Sequence, residues 1–225
     1  MCFGKAWSAL SFAFLTGTSL AGLYYHVPVR IVLGTSFLAI KELIQVLLYH
    51  HLDACTDMNK FLTIAAWIHI SFQPLFMNLF ISAFSAKPKM YDVPLAMCFI
   101  FAIANTFRLK DLHGDKHPQC VPHMQKNLCR PRTCSTPGRH HLAYGFALNS
   151  ADEGLHTPSL FAYFLLMFAP AFIIGDWLLG IINITVAIMS FTLVAHDSGE
   201  ASAIWCVNSM WIAFFAIYYI IKNRL

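Results

Sequence analysis

The sequence predicts an all-α fold: a polytopic bundle of seven transmembrane helices, with one long Cys/His-rich loop between the fourth and fifth. Three observations carry that expectation. Of the 225 residues, 58% are hydrophobic and only 12% charged, with a mean hydropathy of +0.60. An ordinary soluble domain is about a quarter charged, so much of this surface is suited to something other than water. Apolar runs near the roughly 20 residues that cross a bilayer recur along the chain. Only one connection, about 110–157, is long. Residues 1–225 therefore read as a single membrane domain with that loop capping one face.

The expected spans are 6–26, 30–51, 61–84, 93–109, 158–175, 177–195 and 201–221. The first has Lys5 as its only early charge and an apolar stretch too long for the core of a secretory signal, so it reads as a retained helix. The second carries Glu42, Gln45 and Tyr49 at i, i+3 and i+7, one stripe of a helix. On the third, His69 and Gln73 lie one turn apart, with Pro74 just after and Asn78 pointing elsewhere. The fourth ends in Asn105 and Arg108, the fifth and sixth are nearly all apolar, and the seventh opens at Glu200, after His196 and Asp197. No internal repeat of the kind found in transporters is evident.

Two signals bear on orientation. Lys5, Lys60, Lys110, Lys116, Lys126, Arg130, Arg132 and Arg139 fall on the N-terminal side, against Arg30, Lys87, Lys89, Lys222 and Arg224 on the other. The whole count favours a cytoplasmic N-terminal side, while the short connections alone favour a cytoplasmic C-terminus. Cys2, Cys55, Cys120, Cys129 and Cys134 all share the N-terminal side, as an oxidising face would have it. The chain is accordingly read with its N-terminus and loop outside or lumenal and its C-terminus cytoplasmic. The net charge of +4 is too diffuse to imply nucleic acid; the partners expected are the bilayer, a second copy of the chain, or other subunits of a membrane complex.

Polar groups inside spans decide where chemistry could sit. Amides such as Gln73 and Asn78 are most simply hydrogen bonds between helices, worth under about 2 kcal/mol each. A carboxylate at the bilayer centre costs about 2.5–3.5 kcal/mol on insertion scales, so Glu42 needs a proton, a cation or a metal. The second helix runs toward the N-terminal face and the third starts from it. Glu42, Gln45, Tyr49, His69, Arg108 and Glu200 thus fall in the half nearest that face, with Gln73 near the midplane. Lys41 is set aside as partner to Glu42 because successive helical residues point to different faces, which leaves Arg108 or His69.

The loop contains His113, His117, Cys120, His123, Cys129, Cys134, His140 and His141. Three readings stay open: disulfides, with Cys129–Cys134 or Cys55–Cys120 as pairs; zinc or another divalent metal, with Glu42, His69, His140 and His141 as the ligand set reaching into the bundle; or free thiols. The spacing matches no standard zinc pattern. Pro137-Gly138 marks a turn that would aim His140 and His141 at the bundle. "HLAYGFAL" reads as a short extended or interfacial segment with Tyr144 at the membrane surface.

Several activities lack their signature. There is no HExxH helix and no G-x-S-x-G elbow. The seventh span has neither an internal lysine for a retinal Schiff base nor the histidines of the ceramidase-like superfamily. The run "KELIQVLLYHHLDACTDMNKFLTIAAWIHISFQPLFMN", with "CSTPGRHHLAYGF" and "FLLMFAP", resembles an uncharacterised family of small polytopic membrane proteins from bacteria and large viruses. Glu42, Gln45, Cys55, Asn59, His69, Gln73, Pro74, Cys134, Gly138 and His141 carry the resemblance, which implies a membrane fold and no particular reaction.

Three functions are compatible with this pattern. In the first, a membrane-embedded hydrolase takes a lipid-like or small amphipathic substrate, with Glu42 as base or metal ligand and His69 as acid–base partner. His140 or His141 comes from the loop, Arg108 meets an anionic group, and Gln45, Gln73, Tyr49, Asn105 and Glu200 line the substrate. In the second, the same groups form a proton or cation path. In the third, they are structural groups of a non-catalytic membrane subunit.

Overall fold

A computed structural model of the chain describes residues 4–52, 54–109, 132–148, 160–194, 198–208 and 210–223. Three helices in it are long and apolar enough to cross a membrane: α1 (Lys5–Tyr24), α2 (Val29–Leu48) and α3 (Asp57–Ser82). A short 3-10 turn, Pro88–Tyr91, leads into α4 (Asp92–Thr106). There follow two short strands, β1 (Thr136–Pro137) and β2 (Leu142–Ala143), then α5 (Leu160–Ile174), α6 (Trp177–Leu193), α7 (Ser198–Asn208) and α8 (Trp211–Lys222).

The expected seventh span is not one helix. α7 stops at Asn208 and α8 begins at Trp211, where Asn208 and Ser209 supply two consecutive weak helix formers. The other six spans correspond to helices with ends displaced by a few residues, although α4, α5 and α6 are only 15, 15 and 17 residues long. At 1.5 Å per residue they reach about 22–26 Å, short of a roughly 30 Å hydrocarbon core.

α2 is the central helix, in contact with α1, α3, α7 and α8. Beyond its first residue, Val29, only a narrow stripe of it, Leu33, Ile40, Leu43 and Leu47, is exposed, and most of the rest is buried. α1 can approach closely because its buried stripe is small: Ser8, Ser11, Leu15, Thr18, Ser19 and Gly22. There Ser19 Oγ donates to Thr35 Oγ1 at 2.8 Å. α3 is as close on the other side. A Cβ added to Gly34 would stand 2.8 Å from Phe80 Cβ.

Residues 132–148 form a strap packed into one end of this bundle. The pairing is antiparallel, Thr136 with Ala143 and Pro137 with Leu142, and Leu109 bridges Leu148 beyond it. Gly138 N–H donates to His141 O at 2.8 Å, closing the turn expected from Pro137-Gly138. The rest of the segment is extended at Leu142–Ala143, as one of the two readings had it, but departs from the other. "HLAYGFAL" is not interfacial: Leu142, Tyr144 and Phe146 are fully buried and belong to the main apolar core with Trp67, Tyr163 and Trp205. The physical reason is that the strap's backbone groups find partners within the protein, which lets its apolar side chains replace solvent or lipid at the core.

The strap is fixed to the start of α3. Thr56 caps the helix by accepting from Asn59 N–H. The Asn59 amide donates to His51 O and Ser135 O, both at 2.9 Å, and accepts from Ser135 N–H at 2.9 Å. Thr63 Oγ1 lies 2.8 Å from Ser135 Oγ. Cys134 is covalently joined to Cys55, with Cα atoms 5.6 Å apart. That replaces both expected pairings, Cys129–Cys134 and Cys55–Cys120; the Asn59 clamp holds Ser135, and hence Cys134, directly over the α3 N-terminus. Cys120 and Cys129 lie outside the described residues, as do His113, His117, His123, His196 and Asp197.

The bridge closes a loop of sequence separation 79, worth about 4.5 kcal/mol in the chain-entropy treatment. Peptide mapping without reductant is expected to recover a Cys55–Cys134 linked pair. Cys55→Ser and Cys134→Ser should lower the unfolding midpoint equally, and the double variant should fall no further than either single one.

Candidate functional site

Above the strap turn, α2, α7 and α1 enclose a group of polar side chains with almost no access to the outside. Its hub is Lys41, a residue the sequence reading set aside. Lys41 is 0% exposed, and so is Glu42 beside it. Both are buried because α2 is covered over most of its circumference, so the different faces they occupy are both inside. Lys41 Nζ donates to the Tyr144 hydroxyl and stands 4.2 Å from that ring's centroid. Its charge acts on Glu42, His69 and His141 alike.

Gln45 ties three elements to this point. Its Nε2 donates to Tyr144 Oη at 3.1 Å and to Ala203 O of α7 at 3.2 Å, while its Oε1 accepts from Ser8 Oγ of α1 at 3.2 Å. One turn nearer the strap, the Tyr49 hydroxyl lies 2.8 Å from His141 Nδ1. Leu142 N–H donates to that same Nδ1 at 2.7 Å. A backbone N–H can only donate, so Nδ1 accepts and the neutral ring carries its proton on Nε2.

Glu200 holds the turn that presents His141. Its Oε1 accepts from the backbone N–H groups of both His140 and His141, the latter at 2.5 Å. The fit requires glycine at 138, where an added Cβ would lie 2.4 Å from His141 O and 2.7 Å from Glu200 Cδ. His140 thus contributes its main chain here.

Two groups in this site keep buried polar atoms that have no hydrogen bond among the described residues. Neither oxygen of Glu42 has a partner among the described residues, nor has His141 Nε2. A buried carboxylate that finds no donor and a buried imidazole N–H that finds no acceptor normally mark the place of a proton, water or small polar guest. Burial first, then the Lys41 charge, hold the His141 imidazole far below its ordinary 6.5, down to about 3.

The other expected site residues sit apart from this cluster. His69 stacks on Phe37 with ring centroids 3.7 Å apart and donates from Nε2 to Phe37 O at 2.7 Å. Among the described residues, no hydrogen bond connects His69 to Glu42 or His141. Gln73 accepts from the Tyr163 hydroxyl at 3.0 Å, joining α3 to α5. Asn105 joins α4 to α3 through Ser71 Oγ (3.0 Å) and through its carbonyl to Trp67 Nε1 (3.1 Å). Asn78, already set aside, donates to Leu166 O at 2.8 Å. Arg108 follows α4 where Leu109 meets the strap. The ligand set Glu42, His69, His140 and His141 does not assemble, and no three His, Cys, Asp or Glu side chains among the described residues are placed to hold a metal ion. The physical reason is that His69 faces Phe37, on which it stacks, while His141 turns to Tyr49.

Lys41, Tyr144 and Ser8 complete the site without having been singled out. For Lys41 the signal was available: a lysine amid apolar residues of a central span is as costly as Glu42. Tyr144 and Ser8 had none, since only the docked strap and the close α1 contact bring them in.

A histidine neutral in the fold but ionisable when unfolded makes stability depend on pH. The unfolded chain binds the extra proton below about 6.5 and the folded one only near 3, so stability falls with acidification through that window. Melting midpoints of wild type and His141→Gln should therefore diverge between pH 7 and pH 4, the wild type losing more. Parallel curves would show that His141 is not buried neutral.

No curated protein and no solved structure matches the chain. A family of unknown function, DUF5765, matches residues 8–225. With nearly its whole length matched, the chain belongs to that family.

Proposed function

We propose that the chain is a multi-pass membrane protein carrying a closed acid–base site beneath the strap, and that this site hydrolyses a lipid-like or small amphipathic substrate. The membrane reading is supported by the three span-length helices and by the large apolar side chains on the outside, among them Leu20, Phe61, Ile100, Phe161, Ile173 and Phe214. α4, α5 and α6, with α7 and α8 in succession as a broken seventh crossing, would bring the total to seven; the shorter helices would be accommodated by local thinning of the bilayer. The Cys55–Cys134 bridge favours an oxidising environment on the strap side, with the N-terminus outside and the C-terminus cytoplasmic.

The observation that carries the enzyme reading is Glu42: fully buried near the Ser8 hydroxyl, with neither oxygen in good hydrogen-bond geometry to any of the described residues, and next to a lysine that is engaged with Tyr144. In that setting Glu42 is the general base that activates water. The Lys41 ammonium and the Tyr144 hydroxyl face the negative charge that develops on the attacked carbonyl or phosphoryl oxygen. Glu42 then passes the proton taken from water to the leaving group, toward which the neutral His141 Nε2–H acts as a hydrogen-bond donor; Tyr49 orients that ring, and Glu200 positions the turn. Exclusion of water strengthens each of these interactions.

A second reading has its own support. Deeper in the bundle, His69 Nδ1 and Gln73 Nε2 are also buried without hydrogen bonds among the described residues. With Glu42 they mark a polar route from the strap toward the midplane, as a proton path requires.

The two readings separate in one preparation. In proteoliposomes supplied with a panel of ester and phosphodiester lipids, Glu42→Gln should reduce hydrolysis by about 10²–10⁴-fold, the usual contribution of a general base. Under the same conditions His69→Phe should leave hydrolysis intact. Proton flux abolished by both variants, without lipid turnover in the wild type, would replace the enzyme by the proton path.

A further inference from the structure

On the strap side, the Glu42 site is covered by the thickness of one hairpin. Thr136, Pro137 and Arg139 on the outer arm of that hairpin are exposed, while His141 and Tyr144 on the inner arm are fully buried. Behind them Lys41, Glu42 and Gln45 are buried just as completely. Tyr49 stands between the two levels, half-buried, with its hydroxyl 2.8 Å from His141 Nδ1. Glu42 lies seven positions before Tyr49 on the same helical stripe, about 10 Å deeper along α2. A polar molecule approaching Glu42 from the strap side therefore meets the Tyr49–His141 pair first, and the pair acts as a plug.

The hairpin is fastened unequally at its two edges. Toward α3 it is held by the Cys55–Cys134 bond and by the Asn59 side chain, which donates to Ser135 O and accepts from Ser135 N–H. Toward α7 its turn rests on Glu200, whose Oε1 takes the N–H groups of His140 and His141. The covalent edge does not open thermally. Hydrogen bonds to a carboxylate do break and re-form in the local openings of a native protein. The turn is also the place where movement releases the plug, because His141 is itself one of the two residues that Glu200 grips.

We propose that the turn 138–141 is a gate over the Glu42 site, hinged at the Cys55–Cys134 and Asn59 attachment and latched by Glu200. Release of the latch swings the turn away from α7, parts His141 from Tyr49, and admits water or another small polar molecule to Glu42. The purpose of the gate rests on the reading of Glu42 as a working acid–base group, whether in hydrolysis or in a proton path. Its opening is measured without lipid turnover or proton flux, so the gate stands or falls separately from that reading.

The test uses the full chain in detergent, without reductant, treated with a water-soluble carbodiimide that couples to accessible carboxyl groups. Modification of Glu42 is followed by peptide mass spectrometry. Cys98, the buried free cysteine of α4, is followed in the same samples with a water-soluble maleimide, as a reporter of global unfolding. Glu200→Gln keeps the shape of the latch but makes both of its hydrogen bonds neutral, which roughly halves their strength. Glu42 should then be modified about tenfold faster than in wild type, with Cys98 still protected. Tyr49→Phe removes the hydrogen bond of the plug from the α2 side and should speed the modification about fivefold. An unchanged rate in folded Glu200→Gln, or in Tyr49→Phe where the first variant does not fold, overturns the proposal. So does a rise at Glu42 that Cys98 shares.

Discussion

The fold is organised around the burial of Lys41 and Glu42, two adjacent ionisable side chains removed from solvent in an otherwise apolar helix. Taking charges out of water costs several kcal/mol per ion even after relaxation, and mutual attraction offsets this only where further polar groups assist. Each neighbouring element supplies something toward that end. The strap brings the Tyr144 hydroxyl to Lys41. α1 brings Ser8, and α7 brings the Ala203 carbonyl; Gln45 joins both to Tyr144. What stays unmet is Glu42, and that residual imbalance is where a proton, water or substrate would act.

Such an arrangement depends on the strap being held in place from two sides. On one side, Cys55–Cys134 and the Asn59 clamp fix it to α3. On the other, Glu200 of α7 receives two of its backbone N–H groups. Between those anchors the strap buries Leu142, Tyr144 and Phe146, so the polar site is roofed by apolar packing. The anchors lie on different helices, and loss of either would free His141 and Tyr144 together. The buried polar site and stability are therefore coupled through one segment of 17 residues, 132–148.

Much of the helical framework was legible in the sequence because apolar runs and their punctuation are local signals. Six of the expected spans fall on helices with ends displaced by a few residues, and the Glu42, Gln45, Tyr49 stripe lies on one side of α2 as its spacing requires. The break between α7 and α8 was less legible, since Trp205 to Trp211 is apolar enough to conceal two weak helix formers. The strap was misjudged for a different reason. Its alternation is that of an interfacial strand, and only the covalent and hydrogen-bonded attachment to α3, 79 residues earlier at Cys55, brings it inside. His69 and Gln73 illustrate the limit of stripe arguments: they share a face, yet that face meets Phe37 and Tyr163 rather than Glu42.

The most direct measurement is a double-mutant cycle on Lys41 and Glu42, read as unfolding free energy of the full chain in detergent. Lys41→Met and Glu42→Leu should each destabilise strongly, because each leaves an opposite charge buried alone. The double variant should recover at least about 1 kcal/mol relative to the sum of the two, because the Lys41 charge acts on Glu42 within the same enclosed site. Additivity to within about 0.5 kcal/mol would contradict it, and would mean the two side chains do not share one enclosed site.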